Sequence, residues 1–341
     1  MKVAKIIRKK TVAIETIDSP KIEDNEVLVK VKITGICGSD LHLYQDTHAF
    51  RRPPAILGHE IAGIIVEVGK SVKSHKIGDR VTIEPHLGCG LCKFCEDGLV
   101  NICIKKKVPG TPDWIGTFVE YFNADERTLH KIEDKIGYEM GVMVEPLAVA
   151  IHAINRCTNK NKDCIVILGA GTIGLLTQVV AKELGYKTII TTDPAPFNRE
   201  LSLKLGATVS IDPLTEDINK TVADLTENKC GADVTVVCAG ASNILDQASE
   251  VTKKRGEICI VSMITEKIPF YCYSVVFKEQ TIKGSMTYQT EDFVKATKMI
   301  NEGLDLNLLI THKFDIDNTS LGLKTLSEKK ENVGKVLIVM D

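Results

Sequence analysis

The sequence predicts an α/β protein of two domains, one of short strands and turns and one built on a parallel sheet with helices on both faces. Three observations predict it. Glu26–Thr34 (EVLVKVKIT) alternates polar and apolar residues with period two, the pattern of a half-buried strand. Near residue 150 the pattern changes to continuous apolar runs alternating with helical ones, as a parallel sheet requires. The length of 341 residues suits two domains of ordinary size.

Along the first part, Gly63–Gly69 and Arg80–Glu84 also read as strands, each bounded by Gly, Asp or Pro. In the middle, Asp163–Leu168 is a buried-strand pattern that ends in glycines. A helical pattern follows over Leu175–Leu184, closed by Gly185, and then a strand over Thr188–Thr192. Val234–Cys238 and Ile258–Ser262 are further buried strands. From about Ser285 the chain holds one helical pattern and a last strand, Lys335–Met340.

Composition narrows the functional classes. Hydrophobic residues at 44% and charged residues at 26% are ordinary for a globular protein and exclude a disordered or fibrous one. With 43 basic and 45 acidic side chains the net charge is −2, which gives no basis for nucleic-acid or membrane-surface binding. Met1–Lys10 is charged and no long apolar run follows, so no signal peptide is expected. The most apolar stretch, 165–181, is too interrupted by Gly, Thr and Gln for a membrane span, and a cytoplasmic protein is expected. Eleven cysteines without a secretory segment point to metal ligation more than to disulfides.

Gly169-Ala170-Gly171-Thr172-Ile173-Gly174 follows a buried strand and opens a helix, the context in which G-x-G-x-x-G binds a dinucleotide. The glycines permit a tight turn, close approach to a pyrophosphate, and close helix–strand packing. The helix start then offers unpaired N–H groups to the phosphates. Asp193, 19 positions after Gly174, suits the ribose hydroxyls of NAD. NADP is the alternative, because Arg199 lies nearby.

Cys89-x2-Cys92-x2-Cys95-x7-Cys103 places four thiols within 15 residues, enough to close a tetrahedron around one zinc. An iron–sulfur cluster is the alternative, but its fourth cysteine comes three residues after the third and precedes proline. Here the gap is seven and Ile104 follows. Four sulfur ligands leave no open position, so this metal would be structural.

Two shorter stretches carry further ligand types. Cys37 and His59 suit zinc, and Glu60 or Glu145 offers an oxygen. Spacing alone does not join them.

With these motifs in order, the sequence resembles the zinc-containing alcohol dehydrogenases of the medium-chain dehydrogenase/reductase superfamily. The resemblance runs from the first strands to Val336. It rests on Gly58-His59-Glu60-x2-Gly63-x5-Gly69-x2-Val72 and Gly78-Asp79-Arg80-Val81, on the four-cysteine loop, and on the glycine turn. It implies a GroES-like β-barrel catalytic domain over residues 1–150 and 286–341, with a Rossmann NAD-binding domain over 151–285 inserted into it. It implies two zinc ions per chain. Cys37, His59, Glu60 and Glu145 would surround the catalytic one, and Cys89, Cys92, Cys95 and Cys103 the structural one. NAD would lie on Gly169, Gly171, Thr172, Ile173, Gly174 and Asp193.

The implied reaction is oxidation of an alcohol by hydride transfer, with zinc as Lewis acid. Ser39 would take the hydroxyl proton and His42 would relay it. Val81–Pro85, Thr111–Gly116 and Glu145–His152 resemble sorbitol and other polyol dehydrogenases. Two departures are Leu43, where an aromatic residue commonly follows the relay His, and Thr287-Tyr288, where those enzymes carry Arg-Tyr. A polyol or cyclitol is the first expectation, with L-threonine or butanediol next. A non-catalytic dinucleotide-binding relative is the rival of another class. A homo-oligomer is expected, tetramer or dimer, acting on a small-molecule alcohol. His48, His75, His86 and His130 fall in loops and read as surface residues. Asp46, Arg51 and Arg52 receive no role.

Overall fold

The computed structural model describes residues 1–48 and 51–340. The chain divides into two compact units, Met1–Glu145 with Gln289–Asp341, and Pro146–Tyr288.

The first part of the first unit contains β1 (Lys2–Arg8), β2 (Thr11–Thr16), β3 (Glu26–Ile36), β4 (Ala55–Ile56), β5 (Glu60–Val68), β6 (Arg80–Ile83), β7 (Tyr121–Asp125) and β8 (Leu129–Lys131). The second unit contains β9 (Cys164–Leu168), β10 (Thr188–Thr192), β11 (Val209–Ile211), β12 (Ala232–Val237), β13 (Thr252–Ile260) and β14 (Thr281–Gly284). The chain returns to the first unit for β15 (Ile310–Asp315) and β16 (Lys335–Val339).

In the first unit, β2, β1 and β4 form a three-stranded antiparallel sheet. A larger sheet runs β15-β16-β3-β5-β6-β8, with β7 also on β3. The strand read at residues 26–34 is β3, which extends two residues further, to Ile36; its burial alternates only over Val29–Ile33, and both faces are covered at 27–29 and 33–36. Its core joins Val27, Val29 and Val31 to Ile61, Ile65, Val81, Phe118 and Phe122. The register decides the site. Gly35 on β3 stands opposite Glu60 on β5, and Ile36 stands opposite Val336 on β16. Three strands far apart in sequence thereby carry residues 35–37, 60 and 335 to one end of the sheet.

The second unit is one parallel sheet in the order β11-β10-β9-β12-β13-β14. In chain order that is 3-2-1-4-5-6, the order of dinucleotide-binding sheets. β9 is buried along its whole length, as its unbroken apolar run requires.

The hairpin β1–β2 was not legible as two strands, because lysines interrupt the alternation of KVAKIIR. Val3, Ala4 and Ile6 are nevertheless buried. The histidine reading needs correction. His48 and His86 are buried, and the His75 and His130 side chains are largely covered. His86 and His130 flank the buried Glu84, at 2.9 and 3.5 Å. His130 lies in β8 and not in a loop, and for the others loop position alone carries no information on what packs over them. Among the described residues no helix is long and apolar enough to cross a membrane.

Candidate functional site

Cys37 directly follows β3 and caps the helix Gly38–Tyr44 in extended backbone. Asp40, buried in the first turn of that helix, accepts the Cys37 backbone N–H at 2.9 Å and the Gly58 N–H at 3.2 Å. One carboxylate thus ties the stretch carrying Cys37 to the stretch carrying His59. Sequence reading missed this brace. The signal for it was an Asp three residues into a helix, where it caps backbone N–H groups.

Donor atoms of Cys37, His59 and Glu60 all lie within 4.8 Å of one another. The Glu60 side chain lies over Gly35, where any Cβ would collide with it. There Glu60 forms an ion pair with Lys335, whose ammonium also donates to the Ile36 carbonyl at 3.1 Å. Both side chains are almost fully buried. Lys335 was also missed, since a lysine opening an apolar strand reads as solvent-facing.

Burial pushes the Cys37 thiol up to about 11, with the charge of Glu60 adding to it and Lys335 opposing. Burial likewise pushes Glu145 up to about 8; His59 opposes, while Glu60 and Cys37 reinforce. Glu145 therefore shares the electrostatic field of the cluster, although the three-residue donor set does not include it. The donor set fits a divalent cation. Such a cation would stabilise a thiolate and carboxylate that burial alone disfavours. Ser39 and His42 lie on the same helix three positions apart, hence on one face. His42 Nδ1 is 3.2 Å from the Thr47 hydroxyl, which orients the ring.

Cys89, Cys92, Cys95 and Cys103 form the other group with donors within 4.8 Å. All are free thiols. Cys92 Sγ lies 3.7 Å from Cys95 Sγ and 3.7 Å from Cys103 Sγ. A disulfide would need about 2 Å. A tetrahedron of zinc–sulfur bonds of about 2.3 Å has edges of about 3.8 Å, so the spacing fits one ion. Backbone N–H groups of Cys89 and Lys105 donate to Cys103 Sγ, each at 3.4 Å. The Cys95 N–H holds Cys92 down to about 6.

In the second unit Gly169 has φ +101, a conformation other residues resist, and a Cβ on Gly174 would strike the Gly169 carbonyl. A Cβ on Gly171 would meet nothing within 4 Å, so the turn is open where a pyrophosphate would lie. Thr172 and Ile173 begin the helix Thr172–Glu183. Asp193 directly follows β10, and its carboxylate accepts the N–H groups of Ala170 (3.0 Å) and Ala195 (2.9 Å). These residues fit a dinucleotide. Arg199 is engaged by the carbonyls of Asp193 (2.7 Å) and Pro194 (2.8 Å) and by Asp212 at 3.3 Å.

Residues 23–134 match the family model for the alcohol dehydrogenase GroES-like domain, and residues 172–302 that for zinc-binding dehydrogenase. The chain is 33% identical to sorbitol dehydrogenase of Bacillus subtilis, across 99% of this chain and 97% of that one. It is 35% identical to L-threonine 3-dehydrogenase of Caldanaerobacter subterraneus subsp. tengcongensis, across 94% and 92%. The solved structure of 2R,3R-butanediol dehydrogenase from Bacillus subtilis superposes with a TM-score of 0.91 at 32% identity, covering 100% and 99%. The expected architecture, a GroES-like domain with a Rossmann-type domain, is therefore correct. The chain belongs to the zinc-containing alcohol dehydrogenases of the medium-chain dehydrogenase/reductase superfamily, and so to the alcohol oxidoreductases.

Proposed function

We propose that the chain oxidises a secondary alcohol of a polyol or cyclitol to the ketone, with NAD as acceptor and two zinc ions, one catalytic and one structural. The observation that carries this is the convergence of Cys37, His59 and Glu60 in a chain that also holds the dinucleotide turn. Bound zinc would polarise the alcohol oxygen and lower its pKa, and NAD would accept the hydride.

The protein's own groups do the rest. Cys37 and His59 would hold the cation, Glu60 or Glu145 would supply an oxygen ligand, and Asp40 keeps the two stretches in register. The Ser39 hydroxyl accepts the substrate hydroxyl proton while releasing its own, which His42 passes toward solvent. The proton released and the hydride transferred together balance oxidation of the carbinol to a ketone.

Asp193 and the occupied Arg199 favour NAD, since a 2′-phosphate would meet a carboxylate and no free guanidinium. L-threonine and butanediol remain the second reading, because Thr287-Tyr288 replaces the Arg-Tyr pair of sorbitol enzymes.

A homo-oligomer, a tetramer or a dimer, is part of the same proposal. β14 is the edge strand of its sheet, and Tyr273, Val276 and Phe277 of the neighbouring helix are exposed. A second copy pairing there would cover both.

The test is a panel of sorbitol, cyclitols, butanediols and L-threonine with NAD and with NADP, followed by absorbance of the reduced cofactor. Turnover with NAD supports the reading. Turnover with NADP alone would remove the Asp193 argument. Asp193→Ala should raise the KM for NAD about 10- to 100-fold with little change in kcat. Light scattering reports the oligomeric state, and a monomer at micromolar concentration would overturn that part.

A further inference from the structure

The half-buried arginines of the described residues are Arg51, Arg80 and Arg199. Arg80 donates to the carbonyls of Glu133 (3.2 Å), Asp134 (2.5 Å) and Ile136 (2.5 Å) and lies over the Tyr138 ring. Arg199 is held by two carbonyls and Asp212. Among the described residues the Arg51 guanidinium has no such support. Its Nε is buried with no hydrogen-bond partner, and no carboxylate among the described residues lies within ion-pair distance.

Arg52 turns away to the carbonyls of His48 and Arg51 and to Asp46 at 3.9 Å. Burial, then the charge of Arg51, pulls His48 down to about 4, so that imidazole is neutral at pH 7. Arg51 in turn opposes protonation of the partly buried Lys106. The carboxylate whose charge acts on the Arg51 guanidinium is Asp40, and Cys37 would add to it only as a thiolate. Asp40 is engaged by the Cys37 and Gly58 N–H groups and makes no ion pair with Arg51, and Cys37 belongs to the proposed metal set.

A guanidinium carries five N–H donors in a planar fork that matches a carboxylate or phosphate. Leaving the buried Nε–H unfilled costs free energy unless something else fills it. We propose that Arg51 is a substrate-binding residue that selects alcohols bearing an anionic oxygen group, a carboxylate or a phosphate, and orients the carbinol beside Cys37, His59 and Glu60. This rests on the alcohol dehydrogenase reading and narrows its substrate class from neutral polyols to anionic ones.

The test compares D-sorbitol, sorbitol 6-phosphate and L-threonine as substrates of the zinc-loaded protein with NAD, in wild type, Arg51→Gln and Arg51→Lys. One or both anionic alcohols should exceed sorbitol in kcat/KM by about 10- to 100-fold, and which of them does so separates phosphate from carboxylate. Arg51→Gln should raise the KM of the preferred anion by a similar factor, leave kcat nearly unchanged, and leave sorbitol unaffected. Arg51→Lys should recover part of the loss. A readout without turnover is the melting temperature without NAD, which the preferred anion should raise in wild type and not in Arg51→Gln. Equal loss for all three substrates, or sorbitol oxidised as well as the anions, would overturn the role of Arg51 and leave the dehydrogenase reading standing. No turnover of any alcohol by wild type would overturn both.

Discussion

The two thiol clusters of the first unit are built in opposite ways. The four-cysteine loop closes within Cys89–Cys103, and its thiols are held by their own chain, through backbone N–H groups and one another. The Cys37 cluster is assembled from β3, the start of β5 and the start of β16, and its charges are balanced by Lys335 and braced by Asp40. A local loop needs only correct spacing. A buried cluster needs a sheet register, a glycine at the crossing point and a counter-charge for each ionised group. The first should respond to substitution as a staple, the second as a reactive centre.

The largest expected effect is on turnover. Cys37→Ser should lower kcat/KM by at least about a thousandfold, because the cation loses its thiolate. The melting temperature should change little, since Cys37 supports no core packing of its own. A variant retaining full rate would remove Cys37 from the chemistry and erase the contrast between the clusters.

The buried counter-charge comes next. Lys335→Met leaves Glu60 without its partner and should cost about 3–5 kcal/mol of stability in the metal-free protein. Zinc supplies a replacement charge, so the penalty should shrink in the loaded protein. Denaturant melts of both forms measure it. An equal penalty with and without zinc would mean that Glu60 does not face the cation.

For the loop the expectation is a moderate loss of stability with activity retained. Cys95→Ser should lower the melting temperature by roughly 5–10 °C. Residual kcat, measured well below the melting point, should stay within about threefold of wild type. An unchanged melting profile would contradict a structural ion there.

The same contrast explains what was legible beforehand. The four-cysteine loop and the glycine turn are contiguous, so spacing and local context exposed them. The strands around 26–34, 163–168 and 188–192 were legible because each is buried in one consistent pattern. Cys37 and His59 were joined only through a family resemblance, since their meeting depends on strand register. Asp40, Lys335 and Arg51 were not legible as functional residues at all. Each is a charged side chain whose burial is imposed by neighbours distant in sequence, and a charged residue in a linear pattern reads as exposed. The buried His86 and the largely covered His130 of β8 were misread because what packs over them is distant in sequence.

The smallest effect distinguishes the oxygen ligands within the buried cluster. In the metal-free protein burial holds Cys37 at about 11 and Glu145 at about 8, both above their ordinary values. Each therefore carries a proton near pH 7, and a cation must displace that proton to gain the ligand. Zinc affinity must then rise with pH, about tenfold per unit for every proton released. With Cys37 alone the slope is one across pH 7–9. With Glu145 as a second ligand it approaches two below pH 8 and returns to one above it, where Glu145 is already ionised. Competition against a chelator, with the four-cysteine loop kept loaded, measures the slope. The expected result is the change of slope near pH 8, lost in Glu145→Gln; a uniform slope of one in wild type would take Glu145 out of the metal's coordination and leave Cys37, His59 and Glu60 as its protein ligands.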